Sequence, residues 1–106
     1  MAKYRDSVGI IADILDAAVA GATKTRIMLK ANLSYKTLRR YLKLAIDRRL
    51  IAFDGSTYSL TSSGQDFLNS YRVYYEHYMR IQRSIDEVYR ERDALEKRCL
   101  PKPALK

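Results

Sequence analysis

From Ser62 to about Arg98 the chain contains no proline, and glycine occurs only at Gly64, so nothing inside this stretch breaks a helix. Such a helix reaches roughly 55 Å at 1.5 Å per residue, far more than a small domain can cover. Its apolar and aromatic residues recur every seven positions. Tyr71, Tyr78, Ile85, Arg92 and Cys99 hold one seam position, and Phe67, Tyr74, Ile81, Val88 and Leu95 hold the other. Arg92 is the charged exception, at a position where a polar residue can fix coil register. An apolar seam of this length left in water is an aggregation hazard, and nothing else in 106 residues is large enough to cover it. The expected partner is a second copy in a homodimeric coiled coil. The flanking positions, among them Ser70, His77, Gln82 and Glu96, carry too few charges to choose between parallel and antiparallel pairing.

Ahead of this helix the pattern is shorter and more varied. Ile10, Ile11, Ile14, Leu15 and Ala18 recur at helical spacing, which predicts helix 1 from Asp6 to Ala20, with Gly21 ending it in a left-handed conformation. Thr23 caps a second helix that buries Ile27, Met28 and Ala31 and leaves Lys24, Arg26 and Lys30 to solvent or phosphate. Asn32-Leu33 makes a turn, and Ser34 caps a third helix that runs to about Arg48. Leu50 to Asp54 and Thr57 to Leu60 are strand-like and flank Asp54-Gly55-Ser56-Thr57, a tight hairpin turn. Thr61 then caps helix 4. The expected fold is mainly α with a small β-hairpin. A winged helix-turn-helix spans 1–61, a coiled-coil dimerisation helix spans 62–99, and a mobile tail spans 100–106 from the Pro101-Lys-Pro103 stop.

Helix 3 has two unlike faces. At 100° per residue from Leu38, Tyr41, Leu42 and Ala45 fall within about 60°, whereas Lys43, Lys36 and Arg40 fall at about 140°, 160° and 200°. One face is core and the other is cationic. Arg39 flanks the stripe, and Tyr35 and Thr37 lie with Ser34 in the first turn, where a recognition helix meets base edges. Arg26 and Lys30 are candidates for flanking phosphate. Arg48 and Arg49 either face phosphate or complement the negative end of the helix dipole. The wing tip carries no Lys or Arg.

Charge supports the same reading. The formal net charge is +8, and residues 1–60 hold 11 Lys and Arg against 5 Asp and Glu, while residues 61–106 hold 9 against 7. A basic excess favours polyanions through counterion release. Cys99 is the single cysteine, so neither an intrachain disulfide nor a cysteine-based zinc site forms within one chain. No apolar run approaches the roughly 20 residues that span a bilayer, and Met1-Ala-Lys-Tyr-Arg-Asp leads into helix 1 without a signal-peptide apolar region, which sets the expectation of a soluble, cytoplasmic protein with no membrane contact. No phosphate-binding glycine loop, metal-ligand cluster or nucleophile with its base is present, so neither an enzyme nor a cofactor or small-molecule substrate is expected.

Lys24-Thr-Arg-Ile-Met28, Ala31-Asn-Leu-Ser-Tyr35, Tyr41, and Tyr58-Ser-Leu-Thr61 followed by Gly64 resemble the archaeal ten-kilodalton winged-helix nucleoid proteins. The resemblance implies a basic dimer joined by an antiparallel coiled coil of the C-terminal helices, with a winged domain at each end. It implies a DNA surface on helix 3 from Ser34 to Lys43, supported by helix 2 and the wing. The expected activity is architectural binding of double-stranded DNA with modest sequence preference. The alternatives are a regulator that reads an operator through Tyr35, Lys36, Thr37 and Arg40, and a protein-interaction scaffold.

Overall fold

A computed structural model describes residues 5–101. In chain order these form α1 (Ser7–Ala17), α2 (Lys24–Ala31), α3 (Tyr35–Asp47), β1 (Ile51–Phe53), β2 (Tyr58–Leu60) and α4 (Ser62–Cys99). The mainly helical class with a two-stranded hairpin is the one expected from sequence. The mobile tail expected over 100–106 lies, from Lys102 onward, outside the described residues.

Helix α1 is shorter than the Asp6–Ala20 span that its periodicity suggests. Asp6 is its N-cap, with the carboxylate accepting from the Gly9 amide at 2.8 Å. The helix stops at Ala17 because the chain must turn and extend immediately afterwards. The Gly21 amide donates to the Ala18 carbonyl at 3.0 Å, Gly21 adopts φ +83°, and Ala22 then pairs with Tyr58 through two backbone hydrogen bonds of 2.9 and 2.8 Å. That bridge ties the segment before α2 to the hairpin.

The hairpin is antiparallel, with Ile51 opposite Leu60 and Phe53 opposite Tyr58. It is trimmed relative to the sequence reading, since Leu50 completes the exit from α3 while Asp54 and Thr57 belong to the turn. Phe53 stacks on Tyr58 with ring centroids 4.5 Å apart, a cross-strand pair that holds the short wing.

Each helix and β1 contributes to one core. Ile14 and Leu15 of α1, Ile27 of α2, Leu38 of α3, Ile51 of β1 and Leu68 of α4 are the largest fully buried side chains. Tyr41 is buried with its hydroxyl 3.0 Å from that of Ser7, so its polar atom is satisfied. The compact unit extends through Arg72. Thr61 starts α4 by accepting the Gly64 amide at 3.0 Å and donating its hydroxyl to the Arg49 carbonyl at 2.5 Å. On the next turns Phe67 and Tyr71 pack against the domain core. Both also stand at seam positions of the heptad spacing, because a seven-residue repeat marks an apolar stripe and carries no information on which stretch of it the chain covers itself.

The second unit starts at Val73 and contains the rest of α4. Here Tyr74, Tyr78, Ile81, Ile85, Val88 and Leu95 are exposed. Arg92 pairs with Glu96 at 3.0 Å along its own helix. Cys99 is exposed.

One side chain without a role in the sequence reading organises the helix-turn-helix. The Arg5 guanidinium pairs with Asp13 at 2.7 Å and donates to the carbonyls of Ala31 at 2.5 Å and Asn32 at 2.9 Å. It therefore neutralises the C-terminal end of α2. Arg5→Ala is expected to destabilise the fold by about 1–2 kcal/mol, discounted for partial exposure, and to lower the thermal midpoint by roughly 5–10 °C in a calorimetric scan.

Candidate nucleic-acid interface

Ser34 caps α3 by accepting the Thr37 amide at 3.2 Å, and its hydroxyl lies 3.0 Å from the Thr37 hydroxyl. Both hydroxyls are thus engaged in holding the helix start. The preceding turn closes at Asn32, which adopts φ +53° while the Leu33 amide donates to the Met28 carbonyl at 3.1 Å. Asparagine tolerates this left-handed conformation better than most residues, which is why the turn between α2 and α3 is so short.

The two faces of α3 separate as the periodicity requires. Leu38, Tyr41, Leu42 and Ala45 are buried, and Lys36, Arg39, Arg40 and Lys43 are exposed. Arg40 lies 5.3 Å from the Tyr41 ring centroid, a cation–π contact that steadies the base of its side chain. Lys43 meets Asp47 at 3.3 Å across one exposed turn, a pair weak enough to yield to a phosphate. Among the described residues neither Lys36 nor Arg39 has an acidic partner. The stripe is electrostatically open.

Tyr35 is 55% exposed at the first turn of α3. The Lys24 ammonium sits 5.8 Å from its ring centroid, so Lys24, read from sequence as open to solvent or phosphate, is half-buried beside Tyr35. Arg26 and Lys30 of α2 are exposed. The wing differs in character. Asp54 accepts from the Thr57 amide at 2.8 Å and the Ser56 amide at 2.9 Å, and these donors hold its carboxyl below the usual carboxylate range. The tip is anionic and offers no cation to a phosphate.

Among the described residues no group of three or more His, Cys, Asp and Glu is placed to hold a metal ion, and no helix is long and apolar enough to cross a membrane. The site is therefore a cationic helix face beside a short turn and a small wing.

Three comparisons bear on this arrangement. A segment of 62 residues, 58% of this chain, is 39% identical to an uncharacterized protein of Methanocaldococcus jannaschii, and it spans 29% of that protein's length. The crystal structure of Sso10a-2, a DNA-binding protein from Sulfolobus solfataricus, matches with a TM-score of 0.63 and 17% identity, covering 93% of this chain and 100% of that one. At that identity the likeness is one of fold. The model of the winged helix-turn-helix family matches residues 4–78, which contain the capped turn at Asn32, the bipolar α3 and the hairpin closed by Ala22 and Tyr58, and the chain belongs to that family.

Proposed function

We propose that this chain is an architectural double-stranded DNA-binding protein of the nucleoid, acting as a homodimer with two separated winged-helix sites. The observation that carries the reading is the exposed stripe of Lys36, Arg39, Arg40 and Lys43 on a helix whose opposite face is core. α3 enters the major groove, with Tyr35 and Lys36 nearest the base edges, while Arg26 and Lys30 of α2 meet the flanking strand. Phosphate contacts dominate, so affinity falls steeply with salt at a slope of about −0.9 per phosphate neutralised. The solved neighbour of the same fold being a DNA-binding protein supports the assignment.

The deciding experiment is a salt titration of binding to a random 30-base-pair duplex beside a pool of genomic fragments. Equal, strongly salt-dependent affinity for both supports an architectural role. Enrichment of one fragment by roughly 10³-fold or more supports operator recognition instead, with Tyr35 as the side chain placed to read a base. Retention of neither supports a protein-interaction scaffold.

The dimer in this reading is the coiled coil of α4. Ile81, Ile85, Val88 and Leu95 are exposed at seam spacing, and pairing them with a second copy removes that apolar surface from water. Ile81→Asp combined with Ile85→Asp is expected to convert the protein to monomer in sedimentation velocity while the winged domain stays folded. Pairing is taken as antiparallel, as the archaeal nucleoid resemblance implies. Mild oxidation should then leave Cys99 unlinked within the dimer, whereas an in-register parallel coil would bring the two Cys99 thiols together and give a covalent dimer on a non-reducing gel.

A further inference from the structure

The helix α3 ends in an unusual way. The Arg49 amide donates to the Ile46 carbonyl at 2.9 Å and the Leu50 amide to the Ala45 carbonyl at 2.9 Å, the paired bonds of a Schellman cap, with Arg49 at the left-handed position, φ +58°. That position normally takes glycine, or asparagine, because a Cβ is disfavoured there. Among the described residues with positive φ, Gly21, Gly55 and Asn32 follow the preference and Arg49 alone departs from it. The backbone here is pinned as well, since the Arg49 carbonyl accepts the Thr61 hydroxyl that opens α4. A residue kept in a disfavoured conformation needs a reason in its side chain.

That side chain is an exposed guanidinium with no ion pair among the described residues. The two acidic groups closest in sequence are engaged elsewhere: Asp47 meets Lys43, and Asp54 is held by the amides of its own turn. Position supplies the rest. Arg49 follows the first turn of α3 by roughly 20 Å of helix at 1.5 Å per residue, whereas the major groove is about 12 Å wide. With the first turn of α3 in the groove, the helix is longer than the groove is wide, so its far end lies outside the groove on the side of the phosphates that bound it.

We propose that Arg49 is a phosphate-contact residue that anchors the duplex backbone at the base of the wing, a separate point from the α3 stripe. It supplies the cation that the anionic wing tip lacks. The inference rests on the proposed DNA-binding reading, and its test separates the two.

The full-length chain and its Arg49→Gly and Arg49→Lys variants are titrated against the same random 30-base-pair duplex over a range of salt, with thermal midpoints measured alongside. Arg49→Gly is expected to weaken binding by about five- to tenfold at 0.1 M salt and to reduce the salt slope by about one for each winged domain engaged. Its thermal midpoint should stay level or rise, because glycine suits the left-handed position. Arg49→Lys should recover most of the affinity. Unchanged affinity and slope in Arg49→Gly, with the parent chain binding normally, would overturn the inference and leave the DNA reading intact. A lower midpoint with unchanged affinity would overturn it too, because the arginine would then serve only the helix terminus. Absence of salt-dependent retention by the parent chain sinks the DNA reading itself, and the inference with it.

Discussion

Gly64→Ala should destabilise the winged domain by about 3 kcal/mol, a large share of the roughly 5–15 kcal/mol that keeps a domain folded. Two effects oppose each other. In an exposed helix the same change stabilises by about 1 kcal/mol, since alanine is the better helix former. Here the added Cβ would lie 2.9 Å from the Leu50 carbonyl carbon and closer still to its oxygen, with the Leu50 Cα at 3.4 Å. Those are backbone atoms, and they are held from both sides. The Leu50 amide bonds Ala45, and the Leu50 carbonyl accepts the Thr61 amide at 3.2 Å. Relief therefore requires α4 to move off β1, which opens the core around the buried Leu68 and Ile51. Equilibrium unfolding in urea, read by circular dichroism, checks this; a variant as stable as the parent would show that α4 can shift at little cost.

The second large effect concerns binding. Lys36→Ala, Arg40→Ala and Lys43→Ala together are expected to weaken duplex binding by about 10²- to 10³-fold at 0.1 M salt, with the salt slope falling by about three per domain engaged. Stability should hardly change, since all three side chains are exposed and surface substitutions away from caps and core lie within about 0.5 kcal/mol. The Lys43–Asp47 pair trims the loss from that position, because removing Lys43 also removes an internal interaction in the free protein. A triple variant that keeps full affinity while remaining folded contradicts the groove-facing role of α3. The two predictions differ in kind: Gly64→Ala acts on folding through packing, and the triple variant acts on binding through charge.

Much of this was legible in the residues alone. The caps Thr23 and Ser34 read correctly because each has an oxygen that satisfies an otherwise unpaired amide one turn on, at Arg26 and Thr37. The bipolar character of α3 was legible for an equally local reason, since 3.6-residue periodicity fixes which side chains share a face. Asp54-Gly55-Ser56-Thr57 read as a turn, and Gly55 adopts the positive φ that the turn requires. The Thr61-to-Gly64 step was visible as a pattern, but its cause was not. Only the fold shows that the threonine links Arg49 to the start of α4 and that Gly64 leaves room for the Leu50 carbonyl.

What sequence determined by itself was the set of interactions between near neighbours: helix faces, caps, the wing turn, the excess of positive charge and the seven-residue stripe of α4. These depend on rotation per residue and on hydrogen bonds spanning a few positions, so spacing encodes them. What the tertiary structure decided was every contact between distant residues: Arg5 on the end of α2, Ala22 on Tyr58, Phe67 and Tyr71 on the domain core, and Lys24 over Tyr35. The reason is that long-range partners are chosen by shape and competition among surfaces in three dimensions, and no periodicity in the chain records that choice.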